Sequence, residues 1–156
     1  MESVYIETTI ISYLVSRPSR DILVAAHQQT TYEWWTSRRK EFECYISQVV
    51  FDEILAGNNE AAEKRMEEID NIAVLEATIE AEHLAEAIID GEAIPRKAVR
   101  DAAHIAIAAA NDMDYLLTWN CRHLANAQII RKVSAICNTR GYNMPVICTP
   151  EELMGV

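Results

Sequence analysis

The sequence is short of the residues that punctuate or staple a chain. Of 156 residues, four are glycine, four proline and four cysteine. With half the residues hydrophobic, that scarcity excludes a disordered, linker-rich chain and leaves an ordinary globular one. Cys44, Cys121, Cys137 and Cys148 include no C-x-x-C pair, so buried free thiols are expected rather than zinc or a disulfide framework. No run of about 18 apolar residues exists, which excludes a membrane-spanning helix. Val4-Tyr5-Ile6 is already strand-like, with no charged region or signal core before it, so a cytoplasmic chain is expected. Cations are also few, 14 against 24 acids, for a net charge of −10. That argues against a general nucleic-acid coat, because Lys and Arg carry phosphate binding. It leaves room for an enzyme that reaches phosphate through a metal, and it suits a basic protein partner. There is no internal repeat, low-complexity tract or linker. The length fits one domain, residues 1–156, with a real core.

What is present centres on VRDAAHIAIAAANDMDYLLTWNCRHL, Val99 to Leu124. Its first half is a helix apolar on nearly every side, which places it centrally in the domain. Asp101 lies in the first turn, where the helix dipole favours a carboxylate. Tyr115 to Trp119 is a strand-length apolar and aromatic run, followed at once by Asn120, Cys121, Arg122 and His123. Polar residues just beyond a buried strand stand where open α/β sheets hold their ligands.

Along the chain, Val4-Tyr5-Ile6 predicts a first strand, closed by Glu7-Thr8-Thr9 before a short helix over Ile10 to Leu14. The acid and two hydroxyls read either as a helix cap on Thr8 or Thr9 with Glu7 near the dipole, or as a metal ligand with supporting hydroxyls. A break at Arg17 to Asp21 precedes a long helix to about Arg39, with Ile22, Leu23, Ala26, Tyr32, Trp34 and Trp35 available for its buried face. Arg38-Arg39-Lys40 reads as a solvated helix end or as a phosphate contact. Strands are expected at Cys44 to Ser47, Ile72 to Leu75 and Val146 to Cys148, and helices over Gln48 to Ala56, Asn59 to Asp70, Thr78 to Asp90, Ala125 to Thr139 and a short one from Thr149. This alternation predicts a parallel sheet covered by helices on both faces.

In such a sheet successive strands end on one edge. Glu7, Glu53, Asp101 and Asn120 are therefore expected to converge there. Three carboxylates and an amide repel one another unless a cation lies between them, and an all-oxygen set suits Mg²⁺ or Mn²⁺ rather than zinc. The chemistry of such a site is phosphoryl transfer to water. Without a cation, at least one acid should hold its proton at neutral pH. His104, three residues after Asp101, reads as a core or hydrogen-bonding histidine, or as a second ligand on the same face.

Four motifs in order resemble the PIN domain family, and within it the VapC-type toxins of toxin–antitoxin pairs: VYIETTIISYL, ISQVVFDEIL, DAAHIAIAAA and LLTWNCRHL. Together they span essentially the whole chain. The resemblance implies a three-layer PIN-like α/β fold with a central, mostly parallel sheet. It implies a Mg²⁺- or Mn²⁺-dependent endoribonuclease, with Glu7, Glu53 and Asp101 as acidic metal ligands and Asn120 in the fourth position. Its partners would be RNA, a small antitoxin and a second copy in a homodimer. For such a nuclease, the positions of Arg100 and Arg122, and of Arg17 or Arg20, beside Asp101, Asn120 and Glu7 make them the expected phosphate contacts. Two departures stand out: the first acid is Glu7 where Asp is usual, and Asn120 removes a charge. They motivate the alternative, a catalytically silent PIN-like module that binds RNA or protein.

Overall fold

The computed structural model describes residues 1–156. Five short strands form one sheet: β1 (Ser3–Ile6), β2 (Glu43–Ser47), β3 (Ala73–Leu75), β4 (Tyr115–Leu117) and β5 (Val146–Cys148). Their order is β3-β2-β1-β4-β5, and every pairing is parallel. Parallel strands need long crossovers, and seven helices supply them. They are α1 (Thr8–Val15), α2 (Ile22–Glu33), α3 (Gln48–Leu55), α4 (Asn59–Ile69), α5 (Ile79–Asp90), α6 (Val99–Ala110) and α7 (Ala127–Thr139).

The chain moves outward from β1 to β2 and β3, then crosses back to β4 and β5 on the other side. Right-handed crossovers therefore put α1 to α4 on one face of the sheet and α5 to α7 on the other. The helix contacts agree, with α1 against α2 and α4, and α5 against α6 and α7. The result is three layers, with β1 in the middle. Val4, Tyr5 and Ile6 are wholly buried, as a parallel strand covered on both faces requires. The direction of winding reverses between β1 and β4, so the crevice at their carboxyl ends is the switch point where such sheets bind ligands.

The central helix is as expected: seven of the twelve residues of α6 are buried. The helix after the first break is not. Among α2 residues only Thr31 is buried, while Ile22 and Leu23 are 87% and 66% exposed and Tyr32 also faces out. Apolar type alone suggested a buried face; the packing that fixes α2 comes instead from His27 and Thr31, which meet Trp119. Nor does the helix run to Arg39. It widens into a π-turn over Trp34–Arg38, which lets the Trp34 ring enter the core and stack on Phe42 at 6.0 Å, and then tightens to a 3₁₀ turn over Arg39–Glu41. The fourth strand ends at Leu117; the Thr118 N–H still bonds the Cys148 carbonyl at 3.0 Å, and Trp119 is the first residue beyond the ladder. Of the cysteines, Cys137 and Cys148 are buried, Cys44 is half-buried and Cys121 is exposed, contrary to its expected burial. Burial pushes the Cys148 thiol up to about 12, with Glu152 adding to the shift. No helix is long and apolar enough to cross a membrane.

Candidate functional site

Glu7 sits at the carboxyl end of the central strand, its backbone N–H still paired to the Leu117 carbonyl at 3.0 Å. It caps α1 with its own side chain, a role the sequence reading assigned to Thr8 or Thr9. Oε2 accepts from the Thr9 backbone N–H at 2.8 Å, the Thr9 hydroxyl at 2.6 Å and the Thr118 hydroxyl at 3.1 Å. Thr9 Oγ1 accepts in turn from the Trp119 backbone N–H at 2.9 Å, which pins the end of β4 to the start of α1. The cap and the functional reading therefore share one carboxylate. Only 2% of Glu7 is exposed. Burial holds its carboxyl above the usual range, against the opposing effects of His104 and of the Thr9 hydrogen bonds. Its surroundings thus favour the neutral form over the charged one.

Glu53 reaches the same place from the second turn of α3. Its Oε1 accepts from the Thr8 hydroxyl at 2.8 Å and meets His104 Nε2 at 2.5 Å. The other ring nitrogen of His104, Nδ1, is 2.6 Å from the Tyr5 hydroxyl, and that hydroxyl is 2.7 Å from Ser47 Oγ. Tyr5, Ser47 and His104 are fully buried, so a continuous hydrogen-bonded chain runs from β2 through β1 and α6 to Glu53. Burial opposes the charge of His104. The hydrogen bond to Glu53 and the charges of Glu7, Glu53 and Asp101 outweigh it, and the imidazole titrates above its ordinary range. Burial likewise opposes ionisation of Glu53, but His104, Thr8 and Arg100 overcome it and hold the carboxyl below its usual range. The three acids thus share one buried neighbour whose protonated form they favour. His104 faces inward as a hydrogen-bonding histidine and does not join Asp101 in a pair.

Asp101 pairs elsewhere. Oδ1 accepts from Asn120 Nδ2 at 3.2 Å, and Oδ2 lies 3.0 Å from His123 Nδ1. Asn120 Oδ1 accepts the backbone N–H groups of Arg122 and His123, so the turn after β4 is folded onto the first turn of α6. Behind it, Trp119 stacks on His27 at 4.0 Å between ring centroids, and its Nε1 donates to the Thr31 hydroxyl at 2.7 Å. Tyr13 lies nearly parallel to the Trp119 ring at 6.1 Å.

The structure therefore brings Glu7 and Glu53 together around His104, and Asp101 and Asn120 together beside them. Sequence reasoning missed Tyr5 and Thr118, and it placed His123 at the strand end without its partner Asp101. Thr118 follows a buried strand and was legible as a polar strand end. Tyr5, inside an apolar strand, gave no signal. No three His, Cys, Asp or Glu side chains gather as a metal-ligand cluster. The donor set nevertheless suits a hard cation at two points. Glu7 Oε1 and Glu53 Oε2 accept no hydrogen bond, and neither is sealed from solvent. Two carboxylates, with water and substrate oxygens completing the shell, is a common way to hold Mg²⁺.

No known protein-family model matches the chain, and no curated protein matches it.

Proposed function

We propose that the chain is a metal-dependent endoribonuclease of the PIN type, a toxin of a VapC-like pair, that cleaves RNA with metal-activated water. The observation that carries the proposal is Glu7: a buried carboxylate at the switch point of a parallel sheet, with one oxygen left without a hydrogen bond in the protein and Glu53 as its neighbour. A buried acid that must be kept from its preferred neutral form is costly for the fold, and such groups concentrate at functional sites. Glu7 and Glu53 would hold Mg²⁺ or Mn²⁺, with Asp101 and Asn120 joining once Asp101 is released from His123. When bound, the cation polarises the phosphodiester and lowers the pKa of water beside it.

The protein's own residues have defined tasks. Thr9 and Thr118 aim Glu7, while Thr8 and His104 aim Glu53. Asn120 and His123 hold Asp101 at the rim. A small antitoxin, a second copy and a cytoplasmic location belong to the same proposal.

A second reading is favoured by one observation: both oxygens of Asp101 and one of Glu53 are already satisfied within the protein. A catalytically silent PIN-like module that binds RNA or protein would look so. The test is cleavage of mixed single-stranded RNA by purified protein, with and without Mn²⁺, beside Asp101→Asn and Glu7→Gln. Cleavage that needs the metal and both acids supports the nuclease. No cleavage together with no Mn²⁺ binding moves the assignment to the silent module.

A further inference from the structure

The net charge of −10 hides a strong segregation. Residues 93–150 carry seven of the 14 cations and only three of the 24 acids, a net of +4; the rest of the chain carries −14. Between Tyr115 and Pro150 there is no Asp or Glu at all.

The fold places two of these cations, Arg100 and Arg122, next to the acids. Arg100 belongs to the first turn of α6 beside Asp101, close enough to favour the Glu53 carboxylate. Arg122 lies in the turn that Asn120 and His123 fasten to Asp101. The 3₁₀ turn Arg96–Ala98 leads directly into α6 and carries Arg96 and Lys97. From there a groove of about 470 Å³ continues to α7, with Ile94, Pro95 and Ile129 as apolar lining and Arg96 and Lys132 as its cations. Lys97, Arg100 and Arg122 are exposed and make no ion pair. Two acids oppose the trend: Glu92 also lines the groove, and Asp90 is 3.4 Å from Arg96 in a fully solvated contact. An exposed pair of that kind contributes little and yields readily to a phosphate.

We propose that this band, from Arg122 and Arg100 at the acids through Arg96 and Lys97 to Lys132 on α7, is the track along which the sugar–phosphate backbone of single-stranded RNA reaches the site. It rests on the nuclease reading for its destination. Cations arranged in a line give an elongated polyanion more than one contact, and the apolar lining of the groove offers a face for a base, the combination by which single strands are held without sequence preference. On a chain that elsewhere repels phosphate, the band also sets the direction of approach.

The test is fluorescence anisotropy of a short, labelled single-stranded RNA of mixed sequence with the full chain, in EDTA so that nothing is cut, over roughly 50 to 200 mM salt. Removing two contacts with Arg96→Gln and Lys132→Gln together should flatten the log–log salt slope by about 1.4, from about 0.7 for each phosphate contact on a single strand. Lys40→Gln with Lys64→Gln makes the same change of charge off the band and should leave the slope unchanged. An unchanged slope in the first pair, or equal flattening in both, overturns the track. So does RNA that fails to bind while polyglutamate binds through Arg96 and Lys132, which would give the band to an acidic protein. If the slopes behave as expected but Mn²⁺ produces no cleavage, the track stands and the nuclease reading alone fails.

Discussion

Thr8 and Thr9 are adjacent in the chain, yet their hydroxyls serve different acids: Thr8 donates to Glu53 at 2.8 Å and Thr9 to Glu7 at 2.6 Å. Because both lie in the first turn of α1, one helix start sets the aim of two carboxylates from different elements. Thr8→Val should therefore weaken Mn²⁺ binding by about tenfold or more, the usual cost of losing a partner that orients a ligand. A Mn²⁺ titration checks it; unchanged affinity would mean that Thr8 does not position Glu53. Thr9→Val should instead cost stability, about 2 kcal/mol in urea, because its hydroxyl also accepts from the Trp119 N–H, which is then left without a partner.

Glu7 should display a conflict between folding and activity. Its carboxyl is held above the ordinary range by burial, so the charged form strains the fold at neutral pH. Glu7→Gln removes that charge while its amide oxygen can still accept from Thr9 and Thr118. We expect Tm to rise by about 2–4 °C, the shift made by about 1 kcal/mol in a chain of this size, and metal-dependent cleavage to vanish. A fall in Tm would show that the carboxylate is well solvated in the folded chain.

The His104–Glu53 pair predicts a stability window in pH. Folded His104 titrates above its unfolded value, so its contribution is complete below about pH 6.5, the unfolded imidazole value, and is lost as pH rises through the folded value. Folded Glu53 titrates below its unfolded value, so its contribution is lost as pH falls through that lowered value. Glu7, shifted upward, adds stability on the acid side that disappears as pH rises. Thermal melts across pH should show the wild type losing Tm on the alkaline side, and His104→Gln should reduce that loss to the share that Glu7 carries. His104→Ala removes one of two partners from Tyr5, which keeps Ser47, and from Glu53, which keeps Thr8, and should cost about 2 kcal/mol in urea.

The exposure of α2 makes a simpler prediction. Leu23→Glu should change stability by no more than about 0.5 kcal/mol, as an exposed substitution does, whereas Ile105→Glu in α6 should prevent folding. A large loss at Leu23 would mean that this helix face is covered in solution.

Much of this architecture was readable from residue pattern. The alanine-rich run of α6 announced its burial, and Glu7 and Asn120 stood just past strand-like runs, so their shared edge followed from parallel alternation. The α2 face was not readable, because Ile22, Leu23 and Tyr32 look like core residues and only tertiary contact shows that His27 and Thr31 took that place. The partner of His104 was hidden for a related reason. Helical spacing relates it to Asp101, but α6 is enclosed by neighbours, and the ring turned to Tyr5 and Glu53, both distant in sequence. Likewise His123 read as part of a short polar cluster until the turn after β4 folded back on Asp101.

The switch-point crevice is made from both ends of the chain. The bond from Thr118 to Glu7 spans 111 residues, and β1 cannot gain its second neighbour until β4 exists. During synthesis Glu7 leaves the ribosome well before Thr118 and waits beside an open sheet edge while β2 and β3 are added on one side. The four candidate residues can meet only after Asn120 has emerged. A nascent chain that stops short of Asn120 therefore holds only part of the site, and any activity waits on translation past that residue.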